Sequence, residues 1–337
     1  MTVRVAINGF GRTGRATVRA ALGSSRGVEV VAVNDLGTVD ALARLLARDS
    51  VHGALGARVT VDDDVVSVGH HRMRFLSVPE VTELPWKELE VDVVIESTGH
   101  HASRDQAAGH LAAGARRVIV SAPVKDADAT LVLGVNDDSY DPRHHYVVSN
   151  ASCTTNCLAV MAKVLDDVAG IEEGLMSTVH AYTGDQRLVD SLHKDPRRSR
   201  AAGVNIVPTT TGAARATGLV LPSVEGHLDG LALRVPVPDG SLTDLVALVR
   251  APVAVPDVNA AYEQAAARGP LAGVLEYLDE PLVSSDILGS TASCVFDPGL
   301  TMVRGRLVKV MGWYDNETGY SNRLVDLAAK IGSEEPR

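Results

Sequence analysis

The sequence predicts an α/β protein of two domains, a doubly wound parallel sheet followed by an α+β domain with a mixed or antiparallel sheet. Three observations support this fold class. Short apolar runs alternate with helix-like segments through the first 150 residues, which is typical of a parallel sheet covered on both faces. Beyond residue 150, strands mix with long irregular stretches. The length of 337 residues suffices for two domains. We expect the first domain at 1–152, completed by a C-terminal helix within 317–337, and the second at 153–316.

The elements follow from composition and periodicity. In the first domain the apolar runs predict strands, and the segments between them predict helices. The predicted strands are 3–7, 28–33, 92–97, 117–121 and 146–150, with a hairpin-like insertion at 59–61 and 65–68, and the predicted helices are 15–22, 40–48 and 103–113. In the second domain we expect a helix at 157–165, strands at 231–235, 245–249 and 302–311, and a final helix at 321–331. Residues 183–205 lack periodicity, and a loop of that length is usually functional or an interface.

Composition narrows the classes of function. The net charge of −10 argues against broad binding to nucleic acid or to anionic membranes. Three cysteines in 337 residues do not form a disulfide scaffold, and they fit a reducing cytoplasm. We see no signal-peptide core in the first residues, and no run reaches the roughly 18 to 20 apolar residues of a membrane span. We therefore expect a cytoplasmic protein with no nucleic-acid or membrane partner.

A glycine turn in the first domain indicates a bound dinucleotide. Gly9, Gly11 and Gly14 have the G-x-G-x-x-G spacing, directly after the first predicted strand and at the start of a helix. A position between a strand and a helix supports a dinucleotide site, because the glycines there let the backbone approach a pyrophosphate. Asp35 ends the second strand, 21 residues beyond Gly14, where an acid binds the ribose hydroxyls. The pattern predicts a Rossmann-type domain that binds NAD in preference to NADP; the simpler alternative is a glycine turn followed by a surface aspartate.

Cys153 is the candidate nucleophile. It lies between a strand-like segment and a helix-like segment, so we expect it near a helix N-terminus, where the helix dipole lowers the pKa of a thiol. From this fragment alone, a buried structural cysteine is an equally good interpretation. Cys157 follows one helical turn later, but no His/Cys cluster supplies the four ligands of a zinc site, so we predict no metal.

Several runs together make the chain similar to a known family. These runs are the glycine turn, Asn34-Asp35 and residues 121–123, 149–157, 178–183, 193–198, 208–214, 233–238 and 313–317. In this order and over nearly the whole chain, the sequence resembles the type I phosphorylating glyceraldehyde-3-phosphate dehydrogenases of glycolysis and gluconeogenesis. The resemblance implies NAD as cofactor, and glyceraldehyde 3-phosphate and inorganic phosphate as substrates.

The resemblance also implies roles for single residues. Cys153 would form a thiohemiacetal and then a thioester that phosphate cleaves to an acyl phosphate, and His180 would be the base. The cofactor-binding residues would be Gly9, Gly11, Arg12, Thr13, Gly14, Asp35, Ser121 and Asn316. One phosphate site would comprise Thr183 and Arg234 with Arg198 nearby, and the other Ser152, Thr154, Thr211 and Gly212. The loop at 183–205 resembles the family's S-shaped segment at a subunit interface, which implies a homotetramer.

Two other hypotheses about the function of this chain remain open at this point. Erythrose-4-phosphate dehydrogenase, of the same superfamily, tends to hydrolyse its thioester, and the Thr211-Gly212 run argues against it. A cofactor-sensing protein without turnover would be expected to lack the thiol, the base or the phosphate residues, all of which this chain has.

The chain departs from the family pattern at four places. Thr318 stands where tryptophan is usual, Thr13 replaces an aliphatic residue, Pro79 replaces a cofactor-contacting arginine, and Ser191-Leu192 replaces an apolar-Pro or Gly-Pro pair. These changes leave the strictness of NAD over NADP open. They also motivate the hypothesis of a specialised copy whose reshaped site resists a thiol-alkylating inhibitor. Inactivation by an epoxide inhibitor as fast as in an ordinary family member would contradict that hypothesis.

Overall fold

The computed structural model describes residues 2–334. By its internal contacts the described chain divides into two compact units. The first contains the chain up to residue 131, residues 138–151 and the chain from residue 321 onward; the second contains residues 132–137 and 152–320. The predicted C-terminal segment 317–337 includes residues 335–337, which lie outside the described residues.

The first unit is built on a nine-stranded sheet with a two-stranded ribbon beside it. Its strands are β1 Val3–Asn8, β2 Val28–Asn34, β3 Arg48–Asp49, β4 Gly53–Ala54, β5 Val59–Asp62, β6 Val65–Val68, β7 His71–Leu76, β8 Val93–Glu96, β9 Arg117–Val120, β10 Ala129–Thr130 and β11 Val147–Ser149. The order is β10-β11-β9-β8-β1-β2-β7-β6-β5, and β3 pairs with β4. Pairing is parallel from β10 to β7, and the hairpin β5–β6 is added antiparallel. The predicted parallel sheet with a hairpin insertion is confirmed.

The helices of this unit are α1 Arg12–Leu22, α2 Val39–Ala47, α3 Arg104–Ala107 and α4 Gly109–Ala112. The segment predicted as one helix at 103–113 is therefore two short helices. Gly109 explains the close packing at the break, because a Cβ on it would lie 2.5 Å from the Val81 side chain. The backbone approaches its neighbour more closely there than a continuous helix with side chains would allow.

The register of the central strands brings their carboxyl ends to one edge. Asn8 at the end of β1 pairs with Asn34 at the end of β2 and with Glu96 at the end of β8. The residues that follow these three strands therefore lie side by side. In open α/β sheets, ligands bind beyond the carboxyl ends of the strands, so this edge is where a cofactor is expected.

The second unit is built on an eight-stranded mixed sheet. Its strands are β12 Ile171–Ala181, β13 Val207–Thr210, β14 Leu228–Val235, β15 Ser241–Val249, β16 Leu275–Tyr277, β17 Cys294–Phe296, β18 Met302–Arg304 and β19 Leu307–Tyr314. The order is β13-β14-β12-β15-β19-β17-β16, with β18 paired to β19. Here β14 runs parallel to β12, and β15 runs antiparallel to both β12 and β19. The predicted mixed sheet is confirmed.

The helices of the second unit are α5 Cys153–Ala169, α6 Ala213–Val220 and α7 Val255–Ala267, and α8 Thr318–Ser333 begins in it. Helix α5 is the centre of the core. Its Leu158 and Leu165 are fully buried in one cluster with Leu245 and Val310 of the sheet. The described residues leave the other face of the sheet uncovered, since Leu175 is 69% exposed and Leu307 is 46% exposed. In the described part of the chain, no helix has the length and apolar character needed to cross a membrane.

Candidate active site

Cys153 is the first residue of helix α5. Ser152 caps the helix, because its hydroxyl accepts the Thr155 N–H at 3.1 Å. Ala151 before it has φ +54°, a left-handed conformation that a residue with a side chain adopts at some cost. The tight turn before the helix thus holds the thiol at the end of α5 where backbone N–H groups are unpaired. The predicted position of Cys153 at a helix N-terminus is what the structure has.

The thiol faces His180. The Cys153 Sγ lies 3.5 Å from the His180 Nε2, and His180 is buried near the end of strand β12. Burial raises the pKa of the Cys153 thiol, although the Arg234 guanidinium and the Thr154 N–H and hydroxyl favour the thiolate. Burial, reinforced by Arg234, lowers the pKa of His180. Burial thus favours the neutral thiol and the neutral imidazole, and it opposes the lowering of the thiol pKa that is expected from the helix start alone.

Arg234 lies behind the imidazole. It pairs with His180 in the register of β14 and β12, and its Nη1 is 2.5 Å from the His180 Nδ1 and 3.0 Å from the Ala181 carbonyl oxygen. Its Nε is buried without a hydrogen-bond partner among the described residues, and burial lowers the pKa of this guanidinium. Arg234 is half-buried as a residue, and a buried guanidinium N–H without an acceptor is costly unless an anion completes it. This arrangement fits a phosphate or another oxyanion.

Tyr314 joins the two sides of the site and was not predicted. Its buried hydroxyl bonds the Thr154 hydroxyl at 2.9 Å and the Thr178 hydroxyl at 2.8 Å. Its ring meets the His180 ring edge-on at 5.9 Å between centroids. The sequence did contain a signal for this residue. Thr178 and His180 are two residues apart and therefore share one face of β12, and Tyr314 lies within the run 313–317 that resembles the family.

Asn316 is tied to the same backbone as the histidine. The Ser241 hydroxyl donates to the Asn316 Oδ1 at 2.5 Å and accepts the Ala181 N–H at 3.1 Å. The Asn316 N–H donates to the Asp239 carboxylate at 3.2 Å. The carboxamide of Asn316 is therefore held in one orientation, with its oxygen toward Ser241.

The start of the loop at 183–205 brings together a second group of side chains that can donate hydrogen bonds to an anion. The Asp185 carboxylate accepts hydrogen bonds from the Thr183 hydroxyl and, at 2.5 Å, from the Arg198 Nη1. The Arg198 Nε donates to Thr209 at 2.9 Å. Gln186 is buried, and its Nε2 has no partner among the described residues. The structure thus brings the predicted Thr183 and Arg198 together, and it adds Asp185 and Gln186, which the sequence analysis missed.

The residues predicted for the other phosphate site are more dispersed. Ser152 caps α5, and the Thr154 hydroxyl faces Tyr314. The Thr211 hydroxyl accepts the Ala213 N–H at 3.2 Å at the start of α6, and a Cβ on Gly212 would meet open space. The grouping of Thr211 and Gly212 with Ser152 and Thr154 therefore stays a prediction from the sequence.

The glycine turn fits a dinucleotide. A Cβ on Gly14 would lie 2.2 Å from the Gly9 carbonyl oxygen, so only glycine lets α1 pack this closely on β1. A Cβ on Gly11 would meet nothing within 4 Å, and Gly11, the residue directly before α1, gives the helix no side-chain cap. Open space in front of an uncapped helix start suits a pyrophosphate. The Asp35 carboxylate accepts the N–H groups of Phe10 at 2.7 Å and Gly37 at 2.9 Å, which fixes it beside the turn.

Comparison with known proteins decides the family. Residues 3–104 match the NAD binding domain of glyceraldehyde 3-phosphate dehydrogenase, and residues 152–316 match its C-terminal domain. The chain belongs to the glyceraldehyde-3-phosphate dehydrogenase family. It is 56% identical to the glyceraldehyde-3-phosphate dehydrogenase of Streptomyces coelicolor over 99% of this chain and 100% of that protein. It is 57% identical to glyceraldehyde-3-phosphate dehydrogenase 2 of Streptomyces arenae and 55% identical to the enzyme of Geobacillus stearothermophilus, in each case over 99% of both chains.

Membership of the glyceraldehyde-3-phosphate dehydrogenase family confirms the predicted family, fold class and NAD cofactor. It makes the chain an NAD-dependent oxidoreductase. The roles of single residues stay predictions, and the structure gives their surroundings. Arg12 is held by Asp49 at 2.6 Å; burial would raise the pKa of Asp49, but the N–H groups of His52 and Val51 and the Arg12 guanidinium lower it to about 2. Thr13 is half-buried in α1, and Ser121 follows β9.

The departures from the dehydrogenase family pattern lie at exposed or half-buried positions. Thr318 begins α8 and donates its N–H to Asp315 at 2.6 Å. Pro79 is exposed, and Leu192 is 94% exposed. Near Thr318, burial raises the pKa of Tyr320, with a further contribution from Cys153.

Proposed function

We propose that this chain oxidises glyceraldehyde 3-phosphate with NAD and inorganic phosphate, giving 1,3-bisphosphoglycerate through a covalent intermediate on Cys153. The observation that carries the proposal is the Cys153 Sγ at the start of α5, 3.5 Å from the His180 Nε2. A thiol with a base in reach and a helix dipole beside it suits attack on a carbonyl carbon.

His180 is the base for this attack. In the tautomer whose Nδ1–H donates to the Ala181 carbonyl oxygen at 2.8 Å, the Nε2 lone pair points at the thiol. His180 then takes the thiol proton as the sulfur bonds the aldehyde carbon. The other tautomer accepts the Arg234 N–H at Nδ1 and cannot act as this base. An anion that draws Arg234 away therefore favours the productive tautomer.

The attack gives a thiohemiacetal whose oxyanion needs donors. The Cys153 backbone N–H at the helix start and the protonated His180 Nε2 can both donate to it, as a preorganised pair. When bound, NAD accepts a hydride. The oxidised carbon is left as a thioester on Cys153, while His180 holds the proton it removed.

Phosphate then attacks the thioester and releases the acyl phosphate, which returns the thiol. We assign the two anions to Thr183, Arg198 and Arg234 on one side and to Ser152, Thr154, Thr211 and Gly212 on the other. The unused Arg234 Nε and the Thr183–Arg198 pair support the first group. Asp185 occupies an anion's position between Thr183 and Arg198 in this structure, so we expect it to move when phosphate binds.

We assign cofactor binding to residues 1–152 with the C-terminal helix of 317–337, and catalysis to 153–316. The contacting residues are proposed to be Gly9, Gly11, Arg12, Thr13, Gly14, Asp35, Ser121 and Asn316. The Asp35 carboxylate would repel a 2′-phosphate, so NAD is preferred to NADP. The Asn316 carboxamide, held by Ser241, would bond the nicotinamide amide.

The test is NAD reduction with glyceraldehyde 3-phosphate in the presence and absence of inorganic phosphate. We expect steady turnover only with phosphate, because the thioester on Cys153 needs an acceptor. Erythrose-4-phosphate dehydrogenase chemistry predicts turnover without phosphate and faster reaction with erythrose 4-phosphate, and that result would overturn the proposal.

We also propose a cytoplasmic homotetramer. The apolar side chains of the loop at 183–205 support assembly, since Leu188 is 88% exposed and Leu192 is 94% exposed. Three free cysteines are consistent with a reducing compartment. Resistance of the Cys153 thiol to an epoxide inhibitor, motivated by Thr318 and Thr13, stays a prediction.

A further inference from the structure

A buried polar chain links the ends of the three central strands of the first unit. The Asn34 Nδ2 donates to the Asn8 Oδ1 at 2.8 Å, and the Asn8 Nδ2 donates to the Glu96 Oε2 at 2.6 Å. His110 lies 3.0 Å from the same oxygen, and the Trp86 N–H donates to the His110 Nδ1 at 3.0 Å. All five residues are buried. Buried polar groups in a fully bonded network fix a single arrangement of the chain around them.

Glu96 is the centre of this chain and is a carboxylate. Its Oε1 accepts both the N–H and the hydroxyl of Thr98, at 2.8 and 2.5 Å. His110 is a donor to Glu96, because its Nδ1 accepts from Trp86 and its one proton is therefore on Nε2. Burial alone would raise the pKa of Glu96, but the hydrogen bonds from His110, Thr98 and Asn8 lower it. Four donors surround one buried negative charge.

The same carboxylate holds the backbone against which the glycine turn packs. A Cβ on Gly9 would lie 2.6 Å from the Thr98 nitrogen, so the turn rests directly on residues 97–98. The Ser97 hydroxyl donates to the Gly9 carbonyl oxygen at 2.7 Å, and the Gly9 N–H donates to the Asn34 carbonyl at 2.8 Å. Asn8, Asn34 and Glu96 are the last residues of β1, β2 and β8. The segment that follows each of them therefore lies at the edge of the sheet where the cofactor is predicted.

We propose that Glu96 is a positioning residue for NAD binding, which fixes the Gly9–Gly14 turn and Asp35 in the geometry that accepts the cofactor. This inference rests on the proposed assignment of that turn and Asp35 to NAD. Glu96 acts through Thr98 on one side and through Asn8 and Asn34 on the other, without touching the cofactor itself. If an amide replaces the carboxylate, its NH₂ group faces hydrogen-bond donors that have lost their acceptor. The turn must then reorganise.

The experiment measures NAD affinity by calorimetry and amide hydrogen exchange of the turn in the protein without NAD. In Glu96→Gln, the new NH₂ group must face Thr98 or the Asn8–His110 pair. We expect about tenfold weaker NAD binding, which corresponds to loss of one buried hydrogen bond, and faster exchange at residues 10–14. The KM for glyceraldehyde 3-phosphate and kcat at saturating NAD should change less than twofold. Trp86→Phe removes the outermost donor of the chain together with part of the buried indole ring and keeps an aromatic side chain, and we expect about threefold weaker NAD binding from it.

The matched control is Tyr140→Phe, which removes a buried hydrogen bond from the Arg117 Nε (2.9 Å) at the start of β9. Arg117 lies at the opposite end of the strand from the carboxyl edge. Unfolding in urea gives the stability lost in each variant. Equal NAD affinity in Trp86→Phe and wild type, or a loss in Glu96→Gln no larger than in Tyr140→Phe, overturns the proposal. Asp35→Asn is measured in parallel: if it too binds NAD normally, the assignment of the cofactor site fails, and if it alone weakens binding, only the positioning role of Glu96 fails.

Discussion

Arg234 favours ionisation of the Cys153 thiol, against the larger effect of burial. Burial raises the pKa of the thiol, and the Arg234 guanidinium is the leading group that opposes this effect. The charge of Arg234 is needed before any phosphate is bound, because the thiolate is the reactive species. In the proposed mechanism Arg234 would therefore have two functions at one position, to favour the thiolate and to bind an anion.

Replacing Arg234 should move the reactivity of Cys153 to higher pH. Without the guanidinium the thiolate is less stable, so its pKa rises and less thiolate is present at a given pH. We expect Arg234→Leu to slow alkylation by iodoacetamide at pH 8 by about tenfold. Arg234→Lys keeps a positive charge and should slow alkylation of Cys153 less. An alkylation profile of Arg234→Leu that coincides with the wild type from pH 6 to 10 would show that the guanidinium does not influence the thiol.

At the residue level the sequence indicates the chemistry but not its surroundings. Cys153 at a helix start and the acid Asp35 after a strand follow from local patterns. Tyr314 and Asp185 do not, because their importance comes from contacts across the fold. The Tyr314 hydroxyl bonds Thr154, 160 residues away in the chain. Burial of the thiol is likewise a tertiary effect, and it opposes the lowering of the thiol pKa that the helix start alone predicts.

At the level of elements, two glycines of the turn meet two different requirements. Gly14 allows close packing, and Gly11 leaves open space. Gly14 is needed for packing, since a Cβ would lie 2.2 Å from the Gly9 carbonyl oxygen. A Cβ on Gly11 would meet no heavy atom within 4 Å, and the Gly11 φ of −67° is open to any residue. The sequence predicts the turn and its ligand, but only the structure distinguishes the two glycines.

Alanine at these two positions should give opposite results. Gly14→Ala should lower the free energy of unfolding by about 3 kcal/mol, because backbone must shift to remove the overlap. Gly11→Ala should change it by less than about 1 kcal/mol and still weaken NAD binding, because the methyl group projects into the space for the pyrophosphate. Urea unfolding and NAD titration of both variants test this. Equal stability of the two variants would contradict the packing argument.

At the scale of the whole molecule, most of the large exposed apolar side chains of the described residues belong to the second unit. Leu175 and Leu307 project from the uncovered face of the sheet, beside Val246 and Leu248. Leu188 and Leu192 project from the loop at 183–205. Large exposed apolar patches usually mark protein interfaces. The alternating pattern of the strands predicts such a face, but which face is left uncovered is known only once α5 is seen to pack on the other.

A charge in this surface should prevent assembly. We expect Leu192→Asp to convert a wild-type tetramer into smaller species in light scattering, because an interface would bury the carboxylate without a partner. The monomer should remain folded, since Leu192 is 94% exposed within the chain. Leu36→Asp, at a position 68% exposed in the first unit, is the control. A wild-type chain that is monomeric and active would refute the homotetramer.

The central claim is a covalent thioester on Cys153, and mass spectrometry of the trapped enzyme tests it most directly. The enzyme is mixed with NAD and glyceraldehyde 3-phosphate without inorganic phosphate, quenched in acid and digested. The account predicts a phosphoglyceroyl adduct on the peptide that contains Cys153, formed together with one equivalent of NADH and lost when phosphate is added. It predicts no adduct and no NADH with Cys153→Ser. A burst of NADH without an adduct on Cys153, or an adduct that phosphate does not remove, would contradict the account.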